Sequence, residues 1–101
     1  MERANPRRFL NLADYLTAMS DREFDLLDEL YFVQEYAFLQ DSLGWEDHLL
    51  METLTSLYVK GMIKCLSAPD EERFDQVDIF NEGKSLFFLA TKKGLMAHNT
   101  L

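Results

Sequence analysis

From Ser20 to Lys60 the large apolar residues recur at helical spacing, whereas from Met62 onward they fall into short runs separated by turn-forming residues. The period of the apolar pattern decides whether a segment buries a stripe or a pleated face. A chain patterned in this order is therefore expected to pack helices first and a small antiparallel sheet after them, an α+β arrangement. Its 101 residues suffice for one hydrophobic core and hardly more. With 48% hydrophobic and 28% charged residues, the composition is that of a packed globule rather than a disordered tail. No repeat, low-complexity tract or Gly/Ser/Pro linker divides the chain, so residues 1–101 are expected to form a single domain.

The local signals place the elements. Residues 9–19 carry Phe9, Leu10, Leu12, Ala13, Leu16 and Met19 at helical spacing. Ser20-Asp21-Arg22-Glu23 has the form of a capping box and predicts a helix start. Phe24, Leu27, Leu30, Tyr31 and Phe38 mark a core stripe after it. Tyr31–Leu39 is apolar nearly all round, so it is expected either deeply buried or covered by a partner, and a break near Gln34–Glu35 would divide it into two helices. Gly44 ends this run. A further helix is expected from Trp45 to Lys60, with Glu46 and Asp47 at the positive end of its dipole and Gly61 as terminator. Met62–Leu66 reads as a strand and Pro69–Arg73 as an acidic connection. Phe74–Phe80 and Ser85–Ala90 read as two strands joined by the turn Asn81-Glu82-Gly83-Lys84. Thr91 is the expected cap of a last short helix running to about His98.

The chemistry of catalysis is hard to find in this pattern. The four glycines stand isolated at 44, 61, 83 and 94, so no phosphate-binding loop is present. His48, His98 and Cys65 lack the spacing of metal ligands. Cys65 is expected to be a buried strand cysteine rather than a nucleophile. As a single thiol it forms no internal disulfide, which suits a reducing compartment. The basic start (Arg3, Arg7, Arg8) leads into an apolar stretch broken by Asn11 and Asp14, unlike a signal peptide. No run approaches the ~20 apolar residues of a membrane span. The expectation is a cytoplasmic, non-enzymatic protein with no catalytic residues, cofactor, metal or small-molecule ligand.

Two segments carry a family resemblance. Leu54-Thr55-Ser56-Leu57-Tyr58-Val59-Lys60-Gly61-Met62-Ile63 resembles the end of a recognition helix running through glycine into an apolar strand. Phe88-Leu89-Ala90-Thr91-Lys92-Lys93-Gly94-Leu95 resembles the exit of a wing. Together they are similar to the winged helix-turn-helix of MarR-like and PadR-like transcriptional regulators, over part of residues 45–96. The resemblance implies a helical half with a helix-turn-helix, a small sheet with a wing, and a short final helix. It also implies duplex DNA as ligand, with Thr53, Lys60, Lys84, Lys92 and Lys93 as the candidate DNA-binding residues. The chain departs from the family in the long, acidic stretch between its first and last strands, and in Ala90, where an apolar residue of larger size is usual.

Charge argues against that ligand. The net charge is -8, and residues 20–52 hold ten acids against Arg22 alone, a net of -9. Protein–DNA affinity comes largely from cations that displace counterions from phosphate, so an acidic reading surface must first overcome repulsion. On the 45–60 helix, Leu50, Leu54, Leu57 and Tyr58 form the core face. The opposite face presents Trp45, Leu49, Glu52, Ser56 and Val59, spaced as in a helix that packs on another helix. Base readout would need Arg, Lys, Asn or Gln there. These five residues are the candidate protein interface, with His48 and Glu52 at its rim, serving a partner or a homodimer. The same face is equally open to cover by residues 9–19. A third reading is an acidic adaptor that occupies another protein's basic groove.

Overall fold

The computed structural model describes residues 19–99. The expected helix over residues 9–19 lies outside that range except for Met19, whose side chain packs on the edge of the core. The described residues form five helices and a four-stranded antiparallel sheet.

Helix α1 (Asp21–Asp28) starts at the capping box read from the sequence. The Glu23 amide donates to Ser20 Oγ at 3.1 Å, and the Ser20 amide donates to Glu23 Oε1 at 2.9 Å. The helix stops after Asp28, with Glu29 and Leu30 folding back onto the Leu26 and Leu27 carbonyls. The chain then extends into β1 (Gln34–Glu35) and turns at once into α2 (Tyr36–Leu43). The expected break at Gln34–Glu35 is therefore a strand, paired with the last strand of the sheet. Because that excursion interrupts the helical phase, the predicted core stripe is only partly right. Leu27 and Leu30 are buried, joined by Leu26, Tyr36 and Leu39, whereas Tyr31 and Phe38 are exposed.

Gly44 ends α2 at φ 70°, a conformation that costs glycine little and other residues more. Helix α3 (Asp47–Val59) follows, with Trp45 and Glu46 just before it. Its buried face is Leu50, Leu54 and Leu57, as the spacing requires. Gly61, at φ 77°, turns the chain into β2 (Ile63–Ala68). The next strand, β3 (Glu71–Glu72), lies inside the stretch read as a connection and pairs with β2 across an irregular register at Leu66 and Ala68.

Residues 74–85 correct the sequence reading. No strand forms over Phe74–Phe80 and no hairpin turn over Asn81–Lys84. Instead Asp78 caps a single helical turn, α4 (Ile79–Glu82), by accepting from the Phe80 amide at 3.2 Å, and a 3-10 turn (Gly83–Ser85) follows. Gly83 adopts φ -56°, so it supplies no positive φ. Arg73 bridges the two ends of this segment. Its guanidinium donates to Asp75 at 2.7 and 2.6 Å and to Glu82 at 3.0 and 3.3 Å. An extended strand rises about 3.3 Å per residue and would hold residues 73 and 82 far apart. Bringing them together compacts the segment, and Val77 and Ile79 enter the core while Phe74 and Phe80 stay outside.

Strand β4 (Phe87–Ala90) completes the sheet in the order β1-β4-β2-β3. Phe88, fully buried, stands opposite Cys65 of β2 and Gln34 of β1 at the centre. Thr91 then caps α5 (Lys92–Asn99), accepting from the Gly94 amide at 3.1 Å and donating to the Gly61 carbonyl at 2.7 Å. The core lies between this sheet and helices α1, α2 and α3.

Candidate interaction surface

The outward side of α3 meets the start of α1 along an open cleft of about 390 Å³, lined by Ser20, Arg22, Glu23, Leu49, Glu52, Thr53, Ser56 and Lys60. Its floor is organised by Glu23, which is only 3% exposed. One carboxylate oxygen accepts from the Ser20 amide and, at 2.8 Å, from Lys60 Nζ; the other accepts from the Ser56 hydroxyl. Burial pushes the Glu23 carboxyl up. The Lys60 ammonium, the Ser56 hydroxyl and the Ser20 amide outweigh it and hold the group below the ordinary carboxylate range. The residue that starts α1 thus also ties that helix to the far end of α3.

The five residues proposed as an interface separate in space. Leu49, Glu52 and Ser56 line the cleft, and Glu52 is exposed. Ser56 already serves Glu23, which leaves Leu49 and Glu52 as the open contacts. Trp45 is half-buried, packs on the edge of the core and does not line the cleft; its carbonyl accepts from Gln40 Nε2 at 3.2 Å. Val59 does not line it either, yet is 75% exposed. His48 is exposed, its ring 5.9 Å from that of Phe80.

The residues that the family resemblance implies for DNA are mostly engaged elsewhere. Thr53 is buried, and its hydroxyl donates to the Leu49 carbonyl at 2.8 Å, a back-bond within α3. Lys60 holds Glu23. Lys93 Nζ donates to the Lys60 carbonyl at 2.8 Å, and Lys84 pairs with Asp47 at 3.1 Å. Lys92 is exposed. Asp47 also accepts from the Tyr36 hydroxyl and Gln40, and these donors together with Lys84 hold its carboxyl below the usual range. It ties the start of α3 to α2 and to the 83–85 turn.

Sequence reasoning missed two features of this surface. Glu23 announces itself only as a cap, because its partners Ser56 and Lys60 lie 33 and 37 residues away. Phe74, 86% exposed, lay in a run that read as a strand; Phe32, 77% exposed, lies in the apolar run whose reading left burial and cover by a partner both open. Cys65 is buried on β2, and burial pushes its thiol up to about 12, so it stays protonated at neutral pH. Among the described residues no group of three or more His, Cys, Asp or Glu is placed to hold a metal ion. None of the helices there is long and apolar enough to cross a membrane. Set against known protein families, curated proteins and solved structures, the chain matches none.

Proposed function

We propose that the chain is a winged-helix module that acts through protein contacts, as a homodimer or with a partner, and not by reading duplex DNA. The order of elements supports the winged-helix reading. Helices α2 and α3 follow one another as a helix-turn-helix, β1 precedes them and returns to the sheet beside β4, and β2 leaves α3 through Gly61. In this reading the long 69–86 connection replaces a simple wing.

The single observation that carries the choice of ligand is how the cations are used. Lys60, Lys84 and Lys93 each bind a group of the protein itself, while Glu52 and Glu46 remain exposed on the outward side of α3. A DNA-binding face needs several cations free to displace counterions. The expected result is therefore no submicromolar binding to duplex DNA at about 150 mM salt. Exchange of Lys92 and Lys93 for Glu should change little. Tight binding with a steep salt dependence, weakened by that exchange, would decide for a DNA-binding regulator.

The contact surface is tested by Leu49→Ala combined with Val59→Ala. Trp45 is left intact because its truncation would also disturb the core edge against which it packs. Val59 is largely exposed and Leu49 half-buried, so the double variant is expected to stay folded with a small loss of thermal stability. In sedimentation it should lose the concentration-dependent assembly, or the partner binding, of the wild type. Unchanged assembly in the folded variant would remove the α3 face from the reading.

A further inference from the structure

We propose that residues 9–18 of the same chain dock along the α1–α3 cleft and cover the outward side of α3. Attachment, length and charge agree on this occupant. Ser20 lines the cleft, so the chain before it departs from the rim of the cleft itself. That point of departure is fixed at one end of α3, because the Ser20 amide and Lys60 Nζ donate to the same oxygen of Glu23. Met19, the residue between, is half-buried and packs on the edge of the core. It is also the last member of the apolar series Phe9, Leu12, Leu16 and Met19, spaced three, four and three residues apart. Residues at this spacing share one face of a helix, so the face that Met19 turns to the core is the one that carries the other three.

A helix rises about 1.5 Å per residue, so residues 9–18 can run about 15 Å, the distance along α3 from Val59 back to Leu49. A segment leaving from the Lys60 end thus brings Phe9 to Leu49, with Arg7 and Arg8 one step beyond. The exposed acids Glu46 and Glu52 stand at that end of α3. The cations of the cleft are Arg22, which is exposed, and Lys60, which holds Glu23; Asp14 is the single acid of residues 9–18. Tethering decides between this segment and a second copy. Linkage through Met19 gives the segment an effective concentration of millimolar order at the cleft, far above that of a second chain in micromolar solution. A partner of the α3 surface must therefore displace residues 9–18, and for this consequence alone the inference rests on the contact reading above.

The test is amide hydrogen exchange on the full chain at about 5 and about 200 µM, corrected for intrinsic rates. Residues 9–18 should exchange at least about tenfold slower than their intrinsic rate, equally at both concentrations. Leu49→Asp removes the apolar contact beneath the segment and should return residues 9–18 to near-intrinsic exchange, with Leu54 and Leu57 still protected. Leu49 is half-buried, so Glu52→Arg at an exposed position is the second variant. It sets a like charge against Arg7 and Arg8 and should lower the protection of residues 9–18 about two- to fivefold. Adding Arg7→Glu and Arg8→Glu should restore it. Intrinsic exchange of residues 9–18 in the wild type overturns the proposal, and so does protection that neither variant lowers. Protection that appears only at the higher concentration overturns it too, by making the occupant a second copy. Sedimentation of the same samples reads the contact surface separately, so failure of that reading is told apart from failure of the cover.

Discussion

Gly94→Ala is expected to destabilise the fold by about 2–3 kcal/mol and to loosen α5 first. A Cβ at this position would stand 2.1 Å from the Met62 carbonyl oxygen and 3.0 Å from its carbon, with Leu27 Cδ2 at 3.3 Å. The obstacle is backbone and has no rotamer to move into. The same carbonyl accepts from the Thr91 amide at 2.9 Å, so displacing it would disturb the start of α5 as well. Alanine gains about 1 kcal/mol over glycine in helix propensity, which is too little to offset a clash of this depth. Denaturant unfolding with residue-resolved exchange across Lys92–Asn99 measures both parts. A variant as stable as the wild type would mean that α5 is not seated on Met62.

Glu23→Gln has the second large expected effect, a loss of about 1–3 kcal/mol near neutral pH. The amide keeps the shape of the side chain but not its charge toward Lys60, and one of its two ends can no longer accept. The lower part of that range is expected because Lys60 keeps 23% side-chain exposure and can partly resolvate. The pH dependence follows from the lowered carboxyl. A group whose folded-state value lies below its unfolded value contributes stability above the unfolded value, roughly 4.3 for glutamate, and loses it as pH falls through the folded value. Wild type and variant should therefore differ at neutral pH and converge in acid. A gap that stays constant down to the lowest pH at which both fold would show that the carboxylate charge is not what ties α1 to α3.

The parts of this protein that were legible in its sequence are those fixed by residues three or four apart. The capping box, the Leu50/Leu54/Leu57 face, the stop at Gly61 and the Thr91 cap are all local devices, and each stands where the spacing put it. The candidate surface was less legible. Leu49 and Glu52 were expected as outward residues of α3 and are so, but Trp45 turned toward the core and Thr53 into it. A helical wheel gives directions around one axis, and it does not say which neighbours stand beside that axis.

What the sequence determined by itself was therefore the helix starts at Ser20 and Thr91, the inner face of α3, and a central block with a net charge of -9. Only the tertiary structure decided the rest. The 74–85 segment reads as a hairpin because its residues favour strands, yet it folds into a helical turn with Val77 and Ile79 in the core and Arg73 paired to Asp75 and Glu82. Gln34 and Glu35 become a strand because β4 stands beside them. Lys60 and Lys93 are available in the sequence and engaged in the fold, where Glu23 and the Lys60 carbonyl reach them across more than thirty residues. For β1, Lys60 and Lys93 the physical reason is the same. Backbone propensity differences are of order 1 kcal/mol or less per residue, and partners distant in sequence but close in space outweigh them.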